Sequence, residues 1–225
     1  MQIYWDALTK ETKELYQLVK NLAFISDFYL AGGTGLALQI GHRFSADLDF
    51  FNSSPESVNN EQRQAILNIL KPEPSIKIIW DKEGTFAADW KSIGISFFRL
   101  NQHPLVKPPV LIDDIQVASI DEIGAMKLAA ILSRGTRKDY IDLYFILHHT
   151  SLVHLFEVAA IKYPHNSAFF TFAVRALAYF DDAESDPMPR MIKQVKWEQV
   201  KVYLDEQAID VGRKQLELEK LWQSK

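Results

Sequence analysis

A glycine pair followed by a short helix and an aspartate-bearing strand is the feature that most constrains this chain. Gly32-Gly33 follows the segment DFYLA, which predicts a strand over residues 27–31. A short helix from Thr34 is expected next, and Gly41 suits the position just after its last turn. The segment ADLDFF at residues 46–51 then predicts a second strand. Strand, glycine turn, helix and strand in this order indicate a lobe that combines a sheet with helices.

The rest of the pattern divides the chain into two lobes. Further strands are expected at Ile76–Trp80, Phe86–Trp90, Ile93–Leu100 and Ile115–Ala118, with helices over residues 7–26 and Glu56–Lys71. A capping-box pattern at Ser119 then opens a helical region. Helices are expected there up to about Ser133, from Thr136, over 151–162 and 167–180, and over Trp197–Trp222. We therefore predict an α+β lobe over residues 1–118 and an all-helical lobe over residues 119–225.

Composition excludes several classes of site. The 225 residues contain no cysteine, which rules out disulfides, thiolate metal sites and cysteine nucleophiles. The formal net charge is −4, and neither half of the chain is strongly basic, so a polyanionic partner would have to be bound locally. The N-terminal residues lack the basic and apolar regions of a signal peptide, and no apolar run is long enough to span a membrane. These features favour a cytoplasmic protein without a membrane partner.

Two aspartates in the second strand carry the first chemical signal. Alternation along a strand places Asp47 and Asp49 on one face, with Leu48 and Phe50 on the other. Two neighbouring carboxylates repel each other unless a cation lies between them, and a hard divalent cation with oxygen ligands suits such a pair. The alternative is that both are surface residues at a strand edge, paired with Arg43 or a lysine.

The glycine pair carries the second signal. Gly32, Gly33 and Thr34 lie where a strand turns into a helix N-terminus, whose exposed N–H groups and dipole favour phosphate. Glycine also allows close approach of a ligand to the main chain. A phosphate site beside metal-binding carboxylates is the combination needed to act on a nucleoside triphosphate.

A second segment, KLAAILSRGTRKDYIDLYFIL at residues 127–147, combines basic and acidic residues. Lys127 and Arg134 share one helix face, and the basic residues around Gly135 could bind triphosphate charge. Asp139 and Asp142 share a face of the next helix.

Structural alternatives exist for each residue of this segment. Lys127 could be a solvated surface lysine. Arg134 and Arg137 could pair with nearby acidic residues, and Asp139 could cap a helix in a box with Thr136.

These two segments, GGTGLALQIGHRFSADLDFF and KLAAILSRGTRKDYIDLYFIL, resemble the nucleotidyltransferase AbiEii/AbiGii toxin family. The first also resembles motif I of the polymerase-β-like nucleotidyltransferases. The resemblance implies a nucleotidyltransferase-type mixed sheet with flanking helices, followed by a helical lobe that closes the active site. It further implies Mg²⁺- or Mn²⁺-dependent transfer of a nucleotide from an NTP to an acceptor hydroxyl, on tRNA or a protein. The biological role would be that of a toxin in a bacterial toxin–antitoxin or abortive-infection system, with an antitoxin as partner.

The resemblance also assigns roles to individual residues. Asp47 and Asp49 match the metal-binding pair. Lys127 would offset charge on the leaving pyrophosphate, and Asp139 or Asp142 would orient the acceptor hydroxyl. The residues implied for nucleotide binding are Gly32, Gly33, Thr34, Arg43, Ser45, Arg134 and Lys138.

One departure from the pattern concerns a third carboxylate, which nucleotidyltransferases of this fold usually carry on a neighbouring strand. The strand expected at Ile93–Leu100 contains no Asp or Glu, and Ser96 stands near the corresponding position, with Asp89 on the preceding strand as a substitute. Two carboxylates predict a single tightly held cation. The departure leaves open a catalytically impaired nucleotide-binding or antitoxin-docking module, and a kinase-like enzyme that transfers the γ-phosphate is a further alternative.

Overall fold

The computed structural model describes residues 2–101, 103–166 and 168–223; for residues 215–223 it describes the main chain only. The chain forms two compact units, Met1–Ile123 and Gly124–Lys225. Their boundary falls inside a helix, a few residues after the division expected at residue 118.

A single mixed sheet organises the first unit. In the described part of the chain its strands are β1 (Tyr29–Leu30), β2 (Leu48–Asn52), β3 (Lys77–Lys82), β4 (Thr85–Trp90), β5 (Ile93–Arg99), β6 (Val110–Ile112) and β7 (Ile115–Val117). Their order across the sheet is β3-β4-β5-β2-β1-β7-β6. β2 pairs in parallel with β5 and antiparallel with β1, so it lies in the interior of the sheet.

The helices of the described residues follow the expected order. They are α1 (Lys10–Lys20), α2 (Gly32–Ile40), α3 (Asn60–Leu70), α4 (Ile120–Ser133), α5 (Arg137–Ile146), α6 (Leu152–Lys162), α7 (Phe169–Ala176), α8 (Asp181–Glu184) and α9 (Trp197–Gln223). α2 ends as predicted, because Gly41 adopts the left-handed conformation (φ +60°) that glycine accommodates. The protein is an α+β protein, as predicted.

Alternation along β2 separates the core from the functional face. Leu48 and Phe50 are completely buried in the hydrophobic core of the first unit, to which α1 and α3 also contribute. The ring of Phe50 stacks on Phe97 of β5 at a centroid distance of 4.9 Å. Asp47, just before β2, and Asp49 therefore point away from this core.

Several elements differ from the sequence expectation. The helix expected over residues 7–26 is shorter, because the side chain of Thr9 caps it at its start by accepting from the N–H of Thr12 (3.1 Å). β6 lies shortly before the strand expected at Ile115–Ala118, in residues for which the sequence pattern predicted no strand. The acidic segment at residues 181–190, whose two prolines favour a loop, begins with the short helix α8.

The second unit is helical apart from its connections. α5, α6 and α7 each contact the long helix α9, and α6 also contacts α7. Among the residues described, no helix is both long and apolar enough to cross a membrane.

Candidate active site

The predicted carboxylate pair lies at the start of β2, an interior strand of the sheet. Asp47 is exposed and Asp49 is half-buried, and β2 has a neighbouring strand on each side. The alternative of two aspartates at a strand edge is therefore wrong. Within the described ranges, neither Asp47 nor Asp49 forms an ion pair, with Arg43 or with any lysine.

Strand β5 supplies one hydrogen-bond donor to each carboxylate. The main-chain N–H of Gly94 donates to Asp47 Oδ1 at 3.0 Å, and the hydroxyl of Ser96 donates to Asp49 Oδ1 at 2.5 Å. The second oxygen of each aspartate accepts no hydrogen bond from the part of the chain that is described. Two carboxylates that share a sheet face thus each keep one oxygen available.

The glycine turn lies against these aspartates and against Arg43. Gly32 has φ +64°, and a Cβ there would lie 2.9 Å from Asp49 Oδ2. A Cβ on Gly33 would overlap the guanidinium of Arg43 and lie 2.9 Å from Ser45 Oγ. The backbone conformation at Gly32 therefore favours glycine, whereas a side chain at Gly33 would have to displace Arg43 and Ser45.

The polar side chains around this turn are tied into the fold. The Thr34 side chain is almost completely buried; its hydroxyl donates to the main-chain oxygen of Asp47 (2.5 Å) and is hydrogen-bonded to Ser45 Oγ (3.0 Å). Arg43 is also buried and donates through Nη1 to the Phe44 carbonyl (3.0 Å). Thr34 can thus meet a phosphate only through its main-chain N–H, one of the first-turn groups that lack helical acceptors.

The carboxylate pair fits a magnesium ion that arrives with a triphosphate. Mg²⁺ commonly uses one or two protein carboxylates and completes its shell with water and substrate phosphates. No cluster of three or more His, Cys, Asp or Glu residues suited to a metal occurs among the described residues. Asp89 lies on β4 opposite Gly94 and does not complete such a cluster.

In the second unit, the predicted basic and acidic residues form a buried ion cluster between α4 and α5. Lys127 Nζ lies 2.8 Å from Asp139 Oδ1 and 2.6 Å from Asp142 Oδ2. The side chains of both aspartates have no exposed surface, and that of Lys127 is 8% exposed. Lys127 is therefore not a solvated surface lysine, and the alternative that we left open in the sequence is wrong.

Asp139 is held in its charged form by its neighbours. Burial raises its pKa, but the charge of Lys127, together with hydrogen bonds from Lys127 and Thr136, brings the pKa below its usual value. The Thr136 hydroxyl donates to Asp139 Oδ2 at 2.5 Å and does not cap α5, so the capping-box alternative is also wrong. Arg134 has an exposed side chain, and its Nε lies 3.5 Å from the same oxygen of Asp139.

The other basic residues of this segment have different surroundings. Arg137 is committed to the fold: its guanidinium donates to the carbonyls of Ala183 and Glu184 and lies over the Trp197 ring. Lys138 is exposed and makes no ion pair with any residue in the described ranges. Among the residues predicted to bind phosphate, Lys138 thus has a charge that no ion pair within the described ranges neutralises, and Arg134 has an exposed side chain.

Sequence reasoning missed the donor groups on β5. In the sequence Ser96 stands out only because it occupies the position of the third carboxylate. Gly94 is not among the predicted site residues. A glycine two residues before a polar residue on a strand signals close approach of another group, and this signal could have been used. The hydrogen-bond partner of Gly94, Asp47, is 47 residues away in the sequence.

Over most of its length the sequence matches the model of the nucleotidyl transferase AbiEii toxin, type IV TA system, at residues 15–89 and 92–217. The chain belongs to this family. It is accordingly a nucleotidyltransferase, as predicted from its two motifs. An uncharacterized protein of Aquifex aeolicus is also 32% identical to this AbiEii-family chain over 200 residues, covering 87% of this chain and 93% of the relative.

Solved structures share the fold of this AbiEii-family protein. JHP933 from Helicobacter pylori is 19% identical, with a TM-score of 0.56 over 99% of this chain and 98% of that protein. The nucleotidyltransferase toxin MenT4 from Mycobacterium tuberculosis is 15% identical, with a TM-score of 0.56 over 88% of this chain and 82% of the toxin. At these identities the likeness concerns the fold.

Proposed function

We propose that this protein transfers a nucleotide from an NTP to an acceptor hydroxyl in a magnesium-dependent reaction. The observation that carries the proposal is the carboxylate pair, Asp47 and Asp49, on the sheet face beside the helix N-terminus at Gly32-Gly33. The pair has no protein cation among the described residues to balance it, and each carboxylate keeps one oxygen available. When bound there, Mg²⁺ would offset the negative charge of the triphosphate and of the reaction's transition state.

The residues around the glycine turn would hold the phosphates. Main-chain N–H groups of Gly33 and Thr34, in the first turn of α2, are the donors that a phosphate accepts at a helix N-terminus. Arg43 adds a positive charge directly behind Gly33. Ser45 lies beside Arg43 against the same glycine and adds a hydroxyl.

In the second unit we propose roles for the buried ion cluster and for the basic residues near it. Lys127, Arg134 and Lys138 are candidates for binding triphosphate charge, and Asp139 or Asp142 is the candidate for orienting the acceptor hydroxyl. Two buried carboxylates balance the charge of Lys127. To contact a phosphate, Lys127 would have to replace one of these ion pairs with the phosphate.

The family description supports a toxin role for this activity. We infer that the acceptor is an RNA such as tRNA, or a protein, and that a separate antitoxin opposes the enzyme in a toxin–antitoxin or abortive-infection system. A single cation per active site is expected, since β5 carries Ser96 where a third carboxylate would stand.

The direct test follows the phosphorus atoms. The purified chain is incubated with Mg²⁺, each NTP labelled at the α- or γ-phosphate, and total RNA or cell protein. We expect label from the α-position in the acceptor. Label from the γ-position would indicate a kinase. NTP binding without transfer would indicate a binding module, the alternative that the missing third carboxylate favours.

The matched variants test the carboxylate pair. Asp47→Asn/Asp49→Asn should abolish transfer while the thermal midpoint stays equal or rises, because charge repulsion is relieved. Asp6→Asn/Asp210→Asn removes two surface carboxylates instead and should keep full activity. Wild-type transfer by the first variant would overturn the metal assignment.

A further inference from the structure

Strand β5 carries two hydrogen-bond donors at alternate positions, and each donor meets one aspartate of the pair. In the parallel register Asp49 lies opposite Ser96 and Leu48 opposite Ile95. Gly94 and Ser96 therefore face the same side of the sheet as the aspartates. The core side is taken by Ile95 and Phe97, which are buried.

The Ser96 hydroxyl has a defined place in this arrangement. Its residue is 7% exposed, and its oxygen lies 2.5 Å from Asp49 Oδ1, the length of a strong hydrogen bond to a carboxylate. Because Oδ1 is engaged by the hydroxyl, the orientation of the whole carboxylate group is fixed.

The other oxygen of Asp49 is thereby directed to the glycine turn. Asp49 Oδ2 lies 2.9 Å from the point where a Cβ of Gly32 would stand. Gly32 opens α2, whose N-terminus is the proposed phosphate site. The hydroxyl of Ser96 thus favours the orientation of Asp49 in which one carboxylate oxygen faces the proposed phosphate site.

We propose that Ser96 is a positioning residue for nucleotide transfer: its hydroxyl orients Asp49 so that Oδ2 receives the metal delivered with the triphosphate. The inference rests on the function proposed above. Ser96 itself touches neither metal nor nucleotide; it acts through Asp49, as hydrogen-bonding partners of metal ligands do in other proteins. Asp47 is oriented in the same way by a main-chain group, which no side-chain substitution removes.

The test compares Ser96→Ala, which removes the donor, with Ser96→Thr, which keeps the hydroxyl. Mn²⁺ is titrated into the full chain with a non-hydrolysable NTP, and the free Mn²⁺ signal is followed by electron paramagnetic resonance. kcat and KM for transfer and the thermal midpoint are measured alongside. Ser133→Ala, which loses an exposed helix hydroxyl, is the matched control.

We expect Ser96→Ala to weaken Mn²⁺ binding about 10- to 100-fold and to lower kcat by a similar factor, while KM for the NTP changes little. Ser96→Thr should restore both to within about threefold. Unchanged Mn²⁺ binding and kcat in Ser96→Ala would overturn the proposal. Equal losses in both variants together with a lower thermal midpoint would also overturn it, because the residue would then serve packing.

The failure of the proposed function has a different signature. If the wild-type chain transfers no α-label, the proposed function fails, whatever the variants do. Mn²⁺ binding to wild-type protein, with or without transfer, still reports whether Ser96 orients a metal ligand. Wild-type protein that binds no Mn²⁺ with the NTP would overturn both.

Discussion

The ammonium group of Lys127 lies between two carboxylates that have no exposed surface. Such a cluster stabilises a fold only while its charges balance, since a buried charge without a partner costs several kcal/mol. Arg134 brings a further positive charge to Asp139 from the exposed side. At the scale of the residue, Lys127 therefore has a structural duty in addition to the role proposed for it in transfer.

The two duties can be separated with three substitutions. Lys127→Met should lower the free energy of unfolding by about 3–5 kcal/mol, because it removes the ammonium group that lies between two buried carboxylates. Transfer should fall about 100- to 1000-fold if Lys127 also contributes to transition-state stabilisation. Urea unfolding and single-turnover transfer provide the two measurements.

The neutral variant Lys127→Met/Asp139→Asn/Asp142→Asn is the control. We expect it to recover most of the stability and to stay inactive, because neither the ammonium nor the carboxylates are present. Recovery of transfer along with stability would assign this cluster to the fold alone.

At the scale of the element, α5 has an N-terminus that is capped from a distant part of the sequence. Its N-cap residue, Thr136, uses its hydroxyl on Asp139. Asp186, which follows α8, accepts instead from the N–H of Arg137 at 2.9 Å. The segment after α8 thus fixes the start of the helix that carries Asp139 and Asp142.

Removal of this cap should destabilise the protein moderately. Asp186→Ala is expected to lower the free energy of unfolding by about 1 kcal/mol, the usual value of a helix cap. Asp182→Ala, an exposed substitution in the preceding helix, is the matched control and should change stability by less than about 0.5 kcal/mol. Equal urea midpoints for the two variants would contradict the capping role of Asp186.

At the scale of the whole molecule, ion pairs in both units make stability depend on pH. In the first unit a hydrogen bond from Lys20 lowers the pKa of Asp113, and one from Arg99 lowers that of Glu83. In the second unit a hydrogen bond from Lys201 lowers the pKa of Glu184. At Asp139, burial raises the pKa, but Lys127, Thr136 and Arg134 together lower it below its usual value. A carboxyl whose folded pKa is lowered stabilises the fold above its unfolded pKa, and this contribution disappears as the pH falls through the folded value.

We therefore expect the free energy of unfolding to fall slightly from pH 7 to about pH 5, because burial lowers the pKa of His149 in the folded state, and to fall steadily below about pH 4, where unfolded carboxyl groups titrate. Urea unfolding at pH 7, 5, 4 and 3 measures this. The neutral Lys127 cluster variant should show a shallower fall, since Asp139 no longer contributes. A flat profile down to pH 3 would contradict the assigned pKa shifts.

Local patterns in the sequence determined much of this molecule. Alternation placed Asp47 and Asp49 on one face and Leu48 and Phe50 in the core, because side-chain direction on a strand depends only on parity. Gly41 ended α2 where predicted, since a left-handed residue after a helix favours glycine. The motif spacing also sufficed to identify the family.

Contacts between distant residues were decided by the tertiary structure. The hydrogen bond from Ser96 to Asp49 depends on the parallel register of β2 and β5, which no local pattern specifies. The burial of Lys127 depends on how α4 and α5 pack, and the cap from Asp186 joins residues 49 positions apart. The sequence determined which groups are available for chemistry, whereas packing determined which of them are held, buried or left available, because these properties depend on neighbours that only the folded chain brings together.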